Sequence, residues 1–265
     1  MDKSYQIGDQ VLLIDTKRRQ YLITLQEGGE FHTHSGVVFH DRLINAPEGT
    51  SVLSSSNSTY MSFRPSMAEY IKKMPRGAQV IYPKDIGAIM MIADVYPEAK
   101  VFETGVGSGA LSMSLLRSGA NVFGYEIRED FANRAQENVR VMLGKDALKK
   151  YNVQIRDSYQ NIEEQDFDRA ILDLPEPWLV VPHLKKALLS GGIVVAYTPS
   201  IKQAIKFREA IANNGFSLAE TIEVLHRGWH IDGEAVRPDH RMVAHTGFIS
   251  SGRLLNKGKY FLQFC

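Results

Sequence analysis

Cysteine is almost absent from this chain: there is one, Cys265, in 265 residues. That excludes a disulfide framework and a thiolate metal cluster. Long apolar runs are missing too. None approaches the roughly 18 residues of a membrane span, and the start Met1-Asp2-Lys3-Ser4-Tyr5 lacks a signal-peptide pattern, so a soluble, cytoplasmic protein without membrane contact is expected. Nor is charge of one sign in excess. Thirty-one Lys and Arg against 30 Asp and Glu leave a formal net charge of +1. There is no global electrostatic footprint for nucleic acid, and any such binding must use local patches or the combined surface of an oligomer. No internal repeat or low-complexity tract occurs. His226, His230, His240 and His245 match no common zinc spacing, so no metal is expected.

What is present is ample apolar material, 44% of residues, arranged in two textures. The first sixty residues carry short β-branched or aromatic runs at 11–15, 20–25, 35–39 and 51–54, separated by Gly, Asn, Asp and Pro clusters; this predicts a small all-β domain over 1–63. Residues 64–84 read as a linker with one short helix, 67–74, announced by Pro65 and Ser66. From 85 to 265 the pattern becomes alternating. Helix 85–95, strand 101–104, helix 110–118, strand 121–126, helix 130–143, strands 153–157 and 169–174, helix 179–189, strand 192–197 and helix 200–213 predict an α/β, Rossmann-like, doubly wound and mostly parallel sheet. Two β segments, 218–225 and 242–249, joined by a polar loop, close it as an antiparallel hairpin, giving seven strands.

The densest chemical signal is Val101-Phe102-Glu103-Thr104-Gly105-Val106-Gly107-Ser108-Gly109-Ala110, a buried strand running into a glycine loop that opens a helix. Alternate glycines bring backbone close to a ligand, and the helix start offers unpaired N–H groups to an anion. The next strand ends in Glu126, where a ribose diol needs an acceptor. This spacing also satisfies the looser dinucleotide fingerprint, so an NAD-dependent oxidoreductase competes at this point with a methyltransferase. Glu103 before the first glycine, and the tight Gly-x-Gly-x-Gly run, resemble the first motif of class I S-adenosylmethionine-dependent methyltransferases. The closing antiparallel hairpin is usual in that class and unnecessary in a dehydrogenase half.

A second constellation is Ala170-Ile171-Leu172-Asp173-Leu174-Pro175-Glu176-Pro177-Trp178. Ligands of open α/β sheets bind at the carboxyl ends of strands, so Asp173 is expected to face the glycine loop's crevice, as a substrate ligand or merely as a strand-ending helix cap.

Taken in order, Arg76–Asp85 with its Ile81-Tyr82-Pro83-Lys84-Asp85, Glu103–Gly109, Asp173–Pro177 and Arg237–Gly247 with its His245-Thr246-Gly247 resemble the tRNA (adenine-N1)-methyltransferases of bacteria and archaea, which modify the T-loop adenine at position 58. The resemblance spans nearly the whole chain, including His34-Ser35-Gly36 and His40-Asp41. It implies a catalytic homotetramer, S-adenosyl-L-methionine as cofactor and tRNA as substrate. It further implies that Glu103, Thr104, Gly105, Val106, Gly107, Ser108 and Gly109 form the cofactor loop, that Glu126 takes the ribose hydroxyls, and that Asp157 takes the adenine amine. Asp173 would hold the target base and Tyr82 line its pocket. Phe131 stands where several bacterial relatives carry histidine near the cofactor adenine, and Glu126–Phe131 is closer to archaeal members, some of which also methylate adenine 57. A non-catalytic tRNA-binding subunit, the remaining alternative, would be expected to have lost the glycine loop and Asp173. Lys17-Arg18-Arg19, Lys72, Lys73, Arg76, Lys84, Arg227, Trp229, His230, Arg237, His240 and Arg241 are candidate RNA contacts or simply solvated surface.

Overall fold

The computed structural model describes residues 4–77 and 79–256; Met1 to Lys3, Ala78 and the end of the chain with Cys265 lie outside the described residues. The chain divides into two compact units, Met1–Pro75 and Arg76–Cys265.

The first unit contains strands β1 (Gln10–Asp15), β2 (Gln20–Thr24), β3 (Glu30–Thr33), β4 (Gly36–Phe39), β5 (Ser51–Leu53) and β6 (Thr59–Phe63), followed by helix α1 (Met67–Lys73). Strands β2-β1-β6-β5 form an antiparallel sheet, and β3-β4 is a separate hairpin. Strand β6 shows the period-2 pattern of a half-buried strand, Tyr60 and Ser62 inward and Thr59, Met61 and Phe63 outward. Tyr60 joins Tyr5, Val11, Leu13 and Leu25 in the core. Helix α1 starts with a capping box: the Ser66 hydroxyl accepts from the Glu69 N–H while the Glu69 carboxylate accepts from the Ser66 N–H. This helix, expected in a linker, falls within the first unit. The basic run 17–19 occupies the β1–β2 turn, where the Asp15 carboxylate accepts from the backbone of Lys17 and Arg19 and from the Arg19 guanidinium at 2.6 Å.

The second unit runs α2 (Pro83–Ile92), β7 (Lys100–Thr104), α3 (Ala110–Arg117), β8 (Asn121–Glu126), α4 (Glu129–Leu143), β9 (Tyr151–Ile155), β10 (Phe167–Leu172), α5 (Val181–Ala187), β11 (Leu188–Thr198), α6 (Ile201–Asn213), β12 (Phe216–Glu223), β13 (Trp229–Asp232), β14 (Ala235–Pro238) and β15 (Phe248–Leu254). Seven strands form one sheet in the order β12-β15-β11-β10-β7-β8-β9. All adjacent pairs are parallel except those made by β15, which is antiparallel to β11 and β12. This is the class I methyltransferase sheet. The chain winds outward from β7 through β8 to β9, then returns to the other side of β7 with β10, so the carboxyl ends of β7 and β10 flank a switch-point crevice.

The apolar pattern explains the layers. Val101, Phe102, Val122, Ala170, Ile171, Leu172, Val194 and Val195 are fully buried, as strands covered on both faces require. Phe102 anchors the core edge-on against Tyr125 at 5.1 Å and tilted against Phe167 at 5.3 Å. Two expectations need correction. The last strand begins at Phe248, not 242, because residues 242–247 carry the exposed Met242 and Val243 and the polar His245-Thr246 instead of a buried alternation. The polar loop before it contains a hairpin, β13-β14, which turns at Gly233 with φ +53°.

Candidate active site

The glycine loop is shaped by close packing. Gly105, Gly107 and Gly109 all have positive φ, at 80°, 56° and 81°. At Gly105 the reason is steric as well: a Cβ would lie 2.0 Å from the carbonyl oxygen of Asp173. The loop from β7 and the loop from β10 are therefore in backbone contact, reinforced by the Asp173 N–H donating to the Thr104 carbonyl at 2.9 Å.

Around this contact lie three adjoining clefts. One is bounded by Ile81, Glu103, the loop 105–108, Leu111 and Asp173. A second, of about 170 Å³, is bounded by Thr104, Gly105, Glu126, Asp157, Ser158 and Leu174. A third, of about 300 Å³, lies between Tyr82, Asp173, Pro175, Tyr197, Gln203 and Thr246. Gly105 is common to the first two, Asp173 to the first and third, and Leu174 and Pro175 to the second and third. The crevice is thus continuous, and Asp173 stands between its glycine-lined and tyrosine-lined parts.

The predicted residues other than Gly109 and Phe131 border these clefts. Glu126, buried at the end of β8, accepts from the Gly107 N–H at 2.9 Å with one oxygen and from the Arg128 N–H at 3.0 Å with the other. It therefore pins the glycine loop, a role additional to that expected, and each carboxylate oxygen keeps a lone pair for a diol. Asp157 accepts from the Tyr159 N–H at 2.9 Å in the turn after β9 and lines the second cleft. Thr104 bonds Ser158 at 2.8 Å, and the Asn138 amide donates to the Ser108 carbonyl at 2.9 Å. The Ser108 hydroxyl is buried without a protein partner on the wall of the first cleft. Val106 is buried against Gly124, where a Cβ would meet it at 2.7 Å. Phe131 lines none of the three clefts; its ring lies under the Arg128 guanidinium at 3.8 Å and beside Gly77.

Glu103 and Asp173 are the electrostatic extremes. Glu103 is 1% exposed and accepts from the Ser112 hydroxyl at 2.7 Å, which in turn accepts from the Tyr151 hydroxyl. Burial pushes its carboxyl up to about 8, against the Ser112 hydrogen bond and helped by the charges of Asp173 and Glu126. Asp173 is raised to about 7 by burial first and Glu126 second. A crevice that holds several carboxylates at this cost is suited to a cationic ligand.

Lys84, a candidate RNA contact or solvated residue from the sequence, is instead turned inward. Its ammonium donates to Asp85 at 2.8 Å, to the Val224 carbonyl at 2.7 Å and to the Thr246 hydroxyl at 2.6 Å, with Asp85 fully buried. All three protons are committed inside the protein. Tyr197 and Gln203, which line the tyrosine cleft, were not singled out in the sequence. Tyr197 closes the buried apolar run near the carboxyl end of β11, where an aromatic residue reads as core. Arg227, Trp229, Arg237, His240 and Arg241 remain exposed or half-exposed in and around the β13-β14 hairpin. Among the described residues, no group of three or more His, Cys, Asp or Glu is placed to hold a metal, and no helix is long and apolar enough to cross a membrane.

An open α/β sheet with this strand order, a left-handed glycine cradle and carboxylates at the ends of successive strands defines an S-adenosylmethionine-dependent methyltransferase of class I. Residues 64–246 match the family model described as tRNA methyltransferase complex GCD14 subunit, and residues 5–52 match that of the TrmI-like N-terminal region; the chain belongs to this family of tRNA methyltransferases. It is 34% identical over 242 residues to tRNA (adenine(58)-N(1))-methyltransferase TrmI of Thermus thermophilus, covering 90% of this chain and 94% of that one. It is also 34% identical over 272 residues to the tRNA (adenine(57)-N(1)/adenine(58)-N(1))-methyltransferase TrmI of Methanocaldococcus jannaschii, covering 92% and 94%. Among solved structures it resembles TrmI of Aquifex aeolicus, with TM-score 0.84, 31% identity and coverage of 96% and 100%. It also resembles a protein of Thermotoga maritima described as a SAM-dependent O-methyltransferase, with TM-score 0.92, 29% identity and 97% coverage of each. The dehydrogenase alternative is set aside by these findings.

The buried Glu103 makes stability depend on pH. Its folded-state pKa lies above its ordinary value of 4.5, so the stability it contributes is fully present below about 4.5 and is lost as pH rises through about 8. In the protein alone, Glu103→Gln is expected to melt progressively higher relative to wild type as pH goes from 5 to 9. Parallel melting curves across that range would show that Glu103 does not carry this charge burden.

Proposed function

We infer that this chain is a cytoplasmic, homotetrameric enzyme that transfers a methyl group from S-adenosyl-L-methionine to N1 of adenine 58 in the T-loop of tRNA. The observation that carries this reading is the continuity of the crevice: the glycine-lined and tyrosine-lined parts meet at Asp173. The residues present fit the cofactor. The glycine cradle leaves no room for a Cβ at 105, the Ser108 hydroxyl lacks a protein partner, and Glu126 and Asp157 are acceptors at successive strand ends. Glu103 to Gly109 would border its methionine part, Glu126 its ribose and Asp157 its adenine amine. Phe131, whose ring lies under Arg128 outside the three clefts, is given no contact with the adenine. When bound, this cofactor supplies an electrophilic methyl group on a sulfonium.

Neutral adenine already carries a lone pair on N1, so no general base is required. Asp173 accepts a hydrogen bond from the exocyclic amine, makes N1 more nucleophilic and offsets the positive charge that develops on the base. A charge-assisted bond of this kind contributes about 1.5–3 kcal/mol, or roughly 10- to 150-fold in rate. Tyr82, 36% exposed at the start of α2, and Tyr197, 8% exposed, wall the space for the base. Extracting that base from the tRNA elbow costs a few kcal/mol, which contacts elsewhere on the tRNA must offset.

The test is transfer of labelled methyl to an unmodified tRNA transcript, beside one with adenine 58 replaced, with the product nucleoside identified. Label as 1-methyladenosine in the first transcript is expected; residual label in the second locates activity at position 57, as in the name of the Methanocaldococcus relative. Label on a ribose oxygen, or none in either RNA, would overturn the reading. Asp173→Ala is expected to lower turnover tenfold or more with cofactor affinity largely intact, measured by calorimetry alongside the same assay; equal turnover would remove Asp173 from its role.

A further inference from the structure

The loop that follows β10, Asp173-Leu174-Pro175-Glu176-Pro177, is a wall of two clefts at once. Leu174 and Pro175 border both the second cleft, with Glu126 and Asp157, and the third, with Tyr82 and Tyr197. Its attachment points are few, because two of its five residues are prolines and carry no N–H. The Asp173 N–H is given to the Thr104 carbonyl, which holds the start of the loop. The Pro175 carbonyl accepts from the Gln203 amide of α6 at 2.8 Å. Toward β9, the Glu176 N–H donates at 3.1 Å to the hydroxyl of Tyr159.

Tyr159 lies in the turn after β9, and each of its polar groups has a different partner. Its own N–H donates to the Asp157 Oδ1 at 2.9 Å, and its carbonyl is bonded to the His183 Nε2 of α5 at 3.1 Å. A carbonyl can only accept, so His183 carries a proton on that nitrogen. The preceding residue is pinned as well: the Ser158 hydroxyl bonds that of Thr104 at 2.8 Å in a buried contact. The half-buried ring of Tyr159 packs against the hydrophobic core of the second unit and lines the second cleft. With main chain and ring both fixed, the hydroxyl meets the loop at a set place. One residue thus bonds the Asp157 carboxylate through its main chain and the shared wall of the two clefts through its side chain.

We propose that Tyr159 is a positioning residue for methyl transfer: its hydroxyl holds the loop 173–177 at Glu176 and so sets the wall of the base cleft relative to the cofactor cleft. The proposal rests on the reading of the third cleft as the base pocket and the second as part of the cofactor site. The hydroxyl itself touches neither tRNA nor cofactor. The two ends of the residue have separate duties, main chain and ring for the cofactor cleft, hydroxyl for the base cleft. A wall displaced by a fraction of an ångström misaligns the reacting atoms, which costs rate and spares binding.

The informative variant is Tyr159→Phe, which keeps the ring and the main-chain bonds to Asp157 and His183 and removes only the hydroxyl. With cofactor and tRNA both saturating, the single-turnover rate of methyl transfer is expected to fall roughly fivefold, the effect of one neutral hydrogen bond. The Kd for S-adenosylmethionine and the KM for tRNA should each change less than about twofold. A wild-type rate at saturation, whether or not the variant melts lower or binds cofactor more weakly, would overturn the proposal. The bond itself is read in the protein alone by amide hydrogen exchange followed by mass spectrometry. Pro175 and Pro177 carry no amide, so that of Glu176 is isolated from its neighbours. Tyr159→Phe should speed its exchange roughly fivefold or more, with the amides of β10 unchanged; equal exchange in the two proteins would overturn the proposal. If the wild type itself methylates no tRNA, the substrate reading fails separately, and the exchange measurement still decides whether Tyr159 holds the loop.

Discussion

Residue 105 has no room for a side-chain carbon, because the backbone of Asp173 occupies the place where it would be. Most of the site follows from that contact. It forces the loop after β7 into left-handed backbone and brings the ends of β7 and β10 together. Asp173 is thereby set on the wall of the first cleft, beside Gly105. The parallel register supports it: Leu172 pairs with Thr104 and Ala170 with Phe102, so the two strands end level. Neither loop could move alone without opening the crevice between them.

Around this crossing the protein concentrates negative charge where burial makes charge costly. Burial pushes Glu103 up to about 8, helped by the charges of Asp173 and Glu126, and pushes Asp173 up to about 7, helped by that of Glu126. Such a crevice is destabilising when empty at neutral pH and is relieved by a cationic ligand, the usual exchange of folding stability for a preformed site. The opposite solution holds a few residues away, where Lys84 neutralises the buried Asp85 and donates to Thr246 on the wall of the third cleft.

Much of this was legible in the sequence because local pattern and strand ends determine it. Gly105 to Gly109, Glu126, Asp157 and Asp173 each lie at or just beyond the carboxyl end of a strand, and a buried apolar run followed by a polar residue marks that position. The Lys84–Asp85–Thr246 cluster was not legible, because its members are 161 residues apart and a lysine beside an aspartate reads as surface. The β13-β14 hairpin carried a signal that could have found it, Asp232-Gly233 between short β-branched stretches. So did β6, whose Thr59-Tyr60-Met61-Ser62-Phe63 alternates cleanly. Phe131 shows the converse: its place in the first turn of α4 follows from sequence, but its cover by Arg128 depends on a side-chain contact that spacing does not specify.

The close approach of the Gly105 and Asp173 backbones, with the Asp173 N–H bond to Thr104, holds the glycine-lined and tyrosine-lined parts of the crevice together. The direct measurement is Gly105→Ala, with S-adenosylmethionine affinity by calorimetry and methyl transfer to tRNA at saturating cofactor. Because the added Cβ must displace the Asp173 backbone, affinity and saturated turnover are both expected to fall at least tenfold. Weakened affinity with wild-type turnover at saturation would contradict the claim, since the two sides of the crevice would then be separable.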